Sequence, residues 1–311
     1  MCLVSFSKEL NHEGNKKLES FNGSPVWAYV QITDGCSHGC SWCYGAFYQH
    51  NNQMSFNDFD KLTDKLIDLG IKQITISGGE PMEHPKFKEI VELGADKGFV
   101  IHIATHGEHI NESNYDIFIN SVDQVQFNYQ GSKHHDNVHK VESYDKQVAG
   151  MRALHTLGID TVAHTTIGRY NLNNVEEIFN EADEIGVTRI RVTDVTGRGL
   201  PWKKVDTIEI FDTAKKYAGN LGYNYVHSYD PDYAGDTGVG CVQQSGLFLD
   251  IKPNSVIQYC GAVVGDHDII DLKKDYTPKE VLDAVKAYNK KLSYCGCMAR
   301  EDENSLQVVN L

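Results

Sequence analysis

Long apolar runs are missing from this 311-residue chain. Its first residues, Met1-Cys2-Leu3-Val4, are apolar but turn polar at once and follow no basic stretch, so neither a secretory signal nor a membrane span is expected. Positive charge is short as well: 29 lysines and arginines face 43 aspartates and glutamates, for a formal charge of −14. Proteins that bind nucleic acid or anionic membranes neutralise phosphates with surplus Lys and Arg, and the excess of acid here argues against both classes. Two basic spots, Lys203-Lys204 and Lys290-Lys291, could dock another protein, although a solvated surface explains them as simply. Internal repeats and low-complexity tracts are also lacking. What remains is a chain expected in the cytoplasm, with small molecules or proteins as partners. It is long enough for one barrel-sized domain with an appendage or for two ordinary domains.

Cysteine, by contrast, is plentiful and clustered. In a cytoplasmic chain, clustered spacing favours metal ligation over disulfides. Cys36, Cys40 and Cys43 fall in Asp34-Gly35-Cys36-Ser37-His38-Gly39-Cys40-Ser41-Trp42-Cys43-Tyr44, a CxxxCxxC pattern. Three thiolates are one short of the four ligands an iron-sulfur cube takes, which leaves one iron open to chelate a small molecule and pass it an electron. A second set comprises Cys241, Cys260, Cys295 and Cys297, and Cys2 lies outside both.

Apolar runs and glycine punctuation place strands near 26–33, 72–77, 99–104, 122–128, 159–167 and 187–195, each leading to a helical pattern or a loop. After the cysteines, Ser55 can cap a helix whose Phe59, Leu62, Leu66 and Leu69 share one face and which Gly70 ends. A helix over 174–185 repeats this, with Asn173 or Asn174 as cap, Val175, Ile178, Phe179, Ala182 and Ile185 inward, and Gly186 closing. Six such units predict a parallel sheet covered by helices, with the ligand site at the carboxyl ends of its strands. After about residue 220 the composition shifts. A hairpin is expected from Leu247, Leu249 and Ile251 through the turn Pro253-Asn254-Ser255 to Val256–Tyr259, then a helix over 278–291 leading to Cys295-Gly296-Cys297.

With Trp42 just before Cys43, the cysteine loop resembles the signature of the radical SAM superfamily, CxxxCxΦC with an aromatic at Φ. Ser77-Gly78-Gly79-Glu80-Pro81, one βα unit later, is similar to that superfamily's GGEP motif. Taken alone it also fits an ordinary strand-to-helix turn with Pro85 opening the helix. Two glycines let the backbone approach a ligand closely, and a carboxylate can receive an ammonium group. The resemblance implies that Cys36, Cys40 and Cys43 hold a [4Fe-4S] cluster. It implies too that Trp42, Gly78, Gly79 and Glu80 serve S-adenosylmethionine (SAM), whose reductive cleavage yields a 5′-deoxyadenosyl radical that takes hydrogen from substrate. Thr105-His106-Gly107 stands where relatives have TNG, and Asn128-Tyr129-Gln130-Gly131 where many have SLDG. Asn128 can still bond a ribose hydroxyl. Thr165, Thr166 and Val195 stand where relatives touch ribose, carboxylate or adenine, with a structural role as the alternative.

His38 in the cysteine loop, and His134, His135 and His139 after the fourth strand, could ligate metal or relay protons, but no spacing links them to a carboxylate or to each other, and solvated loop residues are the expectation. Asp194, Arg191 and Arg198 either hold a carboxylate of SAM or substrate or form a surface ion pair.

The segment from Gly246 to Cys260 resembles the core of SPASM and twitch domains, which carry auxiliary clusters, and one set of four cysteines matches twitch more closely. A structural zinc site, buried free cysteines, or a hydrogen-donating Cys260, Cys295 or Cys297 as in radical SAM epimerases are the alternatives. The fold expected is thus α/β, a partial (β/α)6 TIM-like barrel over 26–220 between an N-terminal extension at 1–25 and a twitch-like segment at 221–311. The implied activity is an oxidoreductase that modifies a ribosomally made peptide, reduced by flavodoxin or ferredoxin. Oxidation of a small metabolite, peptide epimerisation and a non-catalytic metal-binding module are the other readings. Twenty-five residues before the first strand are too few for a leader-recognition domain, which points to a small molecule or a separately presented peptide; the hairpin's likeness to peptide maturases points back.

Overall fold

The structure, a computed structural model, describes residues 3–8, 27–40, 43, 52–194, 204–226, 248–258 and 268–291. In chain order its elements are β1 (Leu3–Ser7), β2 (Trp27–Thr33), α1 (Phe56–Asp68), β3 (Gln73–Gly78), α2 (Phe87–Asp96), β4 (Val100–Thr105), α3 (Tyr115–Ser121), β5 (Gln124–Asn128), α4 (His135–His139), α5 (Tyr144–Thr156), β6 (Asp160–Ile167), α6 (Val175–Ile185), β7 (Arg189–Asp194), α7 (Lys204–Asn220), β8 (Asn224–Val226), β9 (Phe248–Ile251), β10 (Val256–Gln258), β11 (Asp268–Asp271) and α8 (Pro278–Lys291). One sheet contains every strand, in the order β11-β10-β9-β2-β3-β4-β5-β6-β7-β1-β8. From β2 to β7 neighbouring strands run parallel, the six-unit α/β partial barrel that the apolar runs predict.

Helix α1 shows how local sequence sets this frame. Ser55 Oγ accepts the Asp58 N–H at 3.0 Å, Phe59, Leu62 and Leu66 are buried, and Gly70 closes the helix at φ +80°. Each of those side chains contributes about 2 kcal/mol on burial. In α6 the inward face and the Gly186 closure are also as expected. Asn174 stands at the cap as expected, but its Oδ1 faces His134 Nε2 at 3.0 Å and its side chain caps no backbone N–H.

Strand residues alternate between two unlike faces. Ala28, Val30, Ile32, Ile74, Ile76, Ile101, Ile103, Val125, Phe127, Ile190 and Val192 join the helices in the hydrophobic core. The opposite face is polar and knitted across strands: Trp27 Nε1 donates to Thr75 Oγ1 at 3.1 Å, Gln73 Nε2 meets His102 Nδ1 at 3.2 Å, and Gln124 Nε2 donates to Asp160 Oδ2 at 2.6 Å. Closed (β/α) barrels fill that space with Val, Ile and Leu. A polar lining is suited to a ligand.

Both flanks extend the parallel core. Residues 3–7, expected in an N-terminal extension, form β1, which pairs antiparallel with β7 and with β8. Phe6 lies opposite Ile190 and is buried, while Ser5 lies opposite Arg191. The expected hairpin is β9 and β10, with Ser255 at φ 67° in the turn. Gln31 Nε2 donates to Asp250 Oδ1 at 3.0 Å, where β9 runs parallel to β2, so the sheet continues across residue 220.

Candidate functional site

The loops leaving β2 and β3 meet at the carboxyl ends of these parallel neighbours. Gly79 N–H donates to Thr33 O at 2.8 Å and Glu80 N–H to Gly35 O at 2.9 Å. No side chain fits between them: a Cβ on Gly79 would stand 2.0 Å from Gly35 O and 2.9 Å from Cys36 Cβ, and one on Gly78, at φ +144°, would stand 2.0 Å from Thr33 O. The backbone that these glycines admit is that of the cysteine loop itself. The loop is pinned elsewhere too, since Asp34 accepts both the backbone and side-chain N–H of Asn52, at 2.6 and 2.7 Å. Ser37 donates its N–H and O–H to Glu83 Oε1.

Cys36, Cys40 and Cys43 are half-buried cysteines on this loop that form no disulfide among the described residues. His38 N–H donates to Cys36 Sγ at 3.4 Å. Burial above all, with Glu80, Cys40 and Glu83 adding negative charge nearby, pushes the Cys36 thiol up to about 12. A thiolate in that setting needs a cation, and three soft thiolates on one loop are the donor set that an iron-sulfur cluster takes.

Glu80 is fully buried. Its Oε1 accepts Thr105 O–H at 2.7 Å and Met82 N–H at 3.0 Å, and its Oε2 accepts His106 N–H at 2.9 Å. Burial raises its pKa from 4.5 to about 7, against the pull of those donors. A carboxylate has room for about four such bonds, and at Oε2 the remaining place is faced by the neutral His106 ring, whose Nε2 lies 3.2 Å away, so a cationic ligand would share this oxygen with His106.

The histidines depart from the expectation of solvated loop residues. His38, His135 and His139 are buried and His134 is half-buried. His38 stacks on His106 with ring centroids 3.7 Å apart, and its Nδ1 lies 3.0 Å from His139 Nδ1. His135 and His139, four residues apart on α4, share a face and stack at 4.1 Å. Helix α4 reaches the cysteine loop: Gly39 N–H donates to His139 O at 3.0 Å, and Cys40 Sγ lies 3.7 Å from His139 Nδ1. Burial lowers the pKa of His106 and His139 to about 2 and of His135 to about 4, which keeps these rings neutral. Donor atoms of His38, Cys40 and His139, of His38, His106 and Glu108, and of Glu83, His106 and His109 each gather within 4.8 Å and could hold a metal ion. The i, i+4 pair was a usable signal in the sequence; Glu83, Glu108 and His109 gave none.

Asn128 ends β5 on the polar face, its Oδ1 accepting Gln130 Nε2–H at 3.0 Å. Thr165 is fully buried, in register with the core residue Val192, and its hydroxyl has no partner among the described residues. Among the described residues Arg191 forms no surface ion pair: it lies half-buried on the polar face and donates to Gln126 Oε1. Trp42, Val195 and Arg198, and the whole second set Cys241, Cys260, Cys295 and Cys297, lie outside the described residues. Among the described residues, no helix is long and apolar enough to cross a membrane.

The family model described as the Radical SAM superfamily matches residues 30–182, the stretch that runs from β2 into α6. A PqqA peptide cyclase of Ruegeria pomeroyi is 22% identical over 299 residues, covering 89% of this chain and 79% of that protein. Among solved structures, Streptococcus suis SuiB bound to precursor peptide SuiA has a TM-score of 0.69 at 16% identity, over 92% of this chain and 73% of that one. Native anSMEcpe with bound AdoMet and Cp18Cys peptide has a TM-score of 0.66 at 12% identity, over 86% and 82%. At these identities the structural likeness carries the fold.

Proposed function

We propose, for a chain whose residues 30–182 form a radical SAM domain, that it is an enzyme that cleaves SAM reductively in order to modify a ribosomally made peptide. The observation that carries this is the junction at the strand ends, where the loop bearing three thiols outside any disulfide and the turn bearing a buried carboxylate are joined by the Gly79–Thr33 and Glu80–Gly35 hydrogen bonds. Cys36, Cys40 and Cys43 would hold the [4Fe-4S] cluster, and SAM would lie against Trp42, Gly78, Gly79, Glu80, Asn128 and Val195, whereas Thr165, on the core face beside Val192, keeps the structural role. When bound, this pair supplies a carbon radical able to abstract hydrogen from an unactivated position.

The chain's own residues do the rest. Thr105, Met82 and the His106 backbone orient the Glu80 carboxylate toward a cation such as the SAM ammonium. The neutral rings of His38, His106 and His139 pack on one another, and His139 brings them to Cys40. The polar inner face of the sheet receives the substrate. A peptide substrate is supported by the relatives, one a PqqA peptide cyclase and one a structure holding a precursor peptide.

The finer reading is an oxidative modification. In it, Cys241, Cys260, Cys295 and Cys297 would hold a second [4Fe-4S] cluster in a twitch-like segment over 221–311, which would supply an electron acceptor for the substrate, and a cytoplasmic flavodoxin or ferredoxin would be the reductant. Anaerobic reconstitution tests both levels. About eight irons per chain are expected, falling to about four when Cys36, Cys40 and Cys43 become Ala, with 5′-deoxyadenosine formation lost. About four irons plus a zinc ion would remove the oxidative step, and wild-type protein that makes no 5′-deoxyadenosine from SAM and dithionite would remove the enzyme.

A further inference from the structure

Among the described residues, the inner face of the sheet carries a cation without a counter-charge. Arg191 sits in the middle of β7, in register with His164 of β6 on one side and Ser5 of β1 on the other. All three lie on the face opposite the core residues Ile190 and Val192. The guanidinium donates through Nη1 to Gln126 Oε1, a neutral acceptor. Among the described residues no carboxylate pairs with Arg191, whereas its neighbour Arg189 has Asp160 Oδ2 at 3.6 Å. Arg191 Nε and Ser5 Oγ are both buried with no hydrogen-bond partner among the described residues. A half-buried charge left so costs far more than a paired one.

The hydrogen bonds around Arg191 have a forced direction. Arginine only donates, so Gln126 turns its oxygen to Arg191 and its amide nitrogen to His164 Nδ1, 2.7 Å away. That nitrogen also only donates, so Nδ1 carries a lone pair and His164 is the Nε2–H tautomer. Burial and the adjacent Arg191 lower its pKa to about 3, which keeps it neutral. Nε2–H then donates to Thr193 Oγ1 at 3.1 Å, which leaves the Thr193 hydrogen uncommitted. The groups left over on this patch are therefore the remaining Arg191 N–H groups and the Ser5 and Thr193 hydroxyls, all able to donate. A planar guanidinium flanked by donors matches a carboxylate.

We infer that Arg191, with Ser5 and Thr193, forms a carboxylate subsite on the inner face of the sheet, oriented by Gln126 and His164. Resting on the peptide reading above, its occupant is the side chain of an aspartate or glutamate in the substrate. The other source of the same chemistry is the carboxylate of SAM itself.

The test uses full-length reconstituted protein with SAM, titrated by ligand-observed NMR with N-acetylglutamate N-methylamide and with its glutamine counterpart. The glutamate probe is expected to bind at least about tenfold tighter, and both R191M and Q126E to abolish that preference while changing SAM affinity by less than about twofold. Q126E guards against misfolding, because it sets a carboxylate beside Arg191 in place while His164 moves its hydrogen to Nδ1 and accepts the Thr193 hydroxyl at Nε2, so it should hold the melting temperature as it closes the subsite. No glutamate preference in the wild type, or a preference that survives both variants, overturns the subsite. A loss of about tenfold or more in SAM affinity in R191M overturns the substrate assignment in favour of SAM. Free glutarate binding as tightly as the capped glutamate, still through Arg191, supports the subsite while overturning the peptide as its source.

Discussion

Replacing Gly79 with alanine is expected to strip the iron from the cysteine loop. The added Cβ would lie 2.0 Å from Gly35 O, 2.5 Å from Gly35 C and 2.9 Å from Cys36 Cβ. None of these is the end of a flexible side chain, so room can come only from retreat of the loop. That retreat breaks the hydrogen bonds Gly79–Thr33 and Glu80–Gly35 and moves Cys36 away from its register with Cys40 and Cys43. Overpacking of this kind costs about 3 kcal/mol, enough to lower the melting temperature measurably. The larger effect is on the metal, because cluster assembly needs all three thiolates in place: reconstituted G79A should lack about four irons per chain and make no 5′-deoxyadenosine. Gly158→Ala is the control. Its φ of +79° is unfavourable to alanine, but nothing lies within 4 Å of the new Cβ, so it should cost about 1 kcal/mol and keep its iron. A G79A protein with full iron content would mean that the cysteine loop is not seated by this contact.

The chemistry legible in the sequence was the chemistry held within one turn of chain. Cys36, Cys40 and Cys43 share a loop, and Gly78, Gly79 and Glu80 share the next one, so spacing alone proposed them. The six parallel strands were legible for a similar reason. Each is a short apolar stretch bounded by glycine or polar turns, and the structure finds them within two residues of their expected ends. What spacing does not carry is encounter across the chain. His139 reaches Cys40 over 99 residues and Arg191 reaches Gln126 over 65. No periodicity in either partner announces the other. Strand β1 lies between these cases. Ser5-Phe6-Ser7 alternates as a half-buried strand should, but its partner β7 lies far along the chain and nothing in that alternation names it. The same holds for β9, whose hairpin was predicted from its own turn while its docking on β2 was not.

Glu80→Gln is expected to weaken SAM binding by about tenfold or more and to flatten its dependence on pH. The carboxylate is fully buried, and burial raises its pKa from 4.5 to about 7 even though three donors oppose the shift. A folded-state pKa above the unfolded value means that the fold holds this proton more tightly. The stability contributed by the protonated form is thus complete below about pH 4.5 and is lost as pH rises toward about 7, a difference of about 3 kcal/mol. A bound ammonium reverses the preference, because it favours the ionised carboxylate and displaces the proton. Wild-type affinity for SAM should therefore climb between about pH 5.5 and pH 7 and then level off, with a proton released on binding below the plateau. In E80Q the amide oxygen can still accept from Thr105 and Met82, but the NH2 then faces the His106 N–H, donor against donor, at the place where Oε2 now accepts. That clash costs about 1–3 kcal/mol, offset at neutral pH by the removal of a buried charge. The melting temperature should consequently change less than the affinity does. Calorimetric titration of SAM into reconstituted protein at about pH 6 and about pH 8 separates these effects. Wild-type affinity equal at both values, or an E80Q variant that binds as tightly as wild type, would mean that the carboxylate only braces the turn after β3 and that the SAM ammonium is held elsewhere.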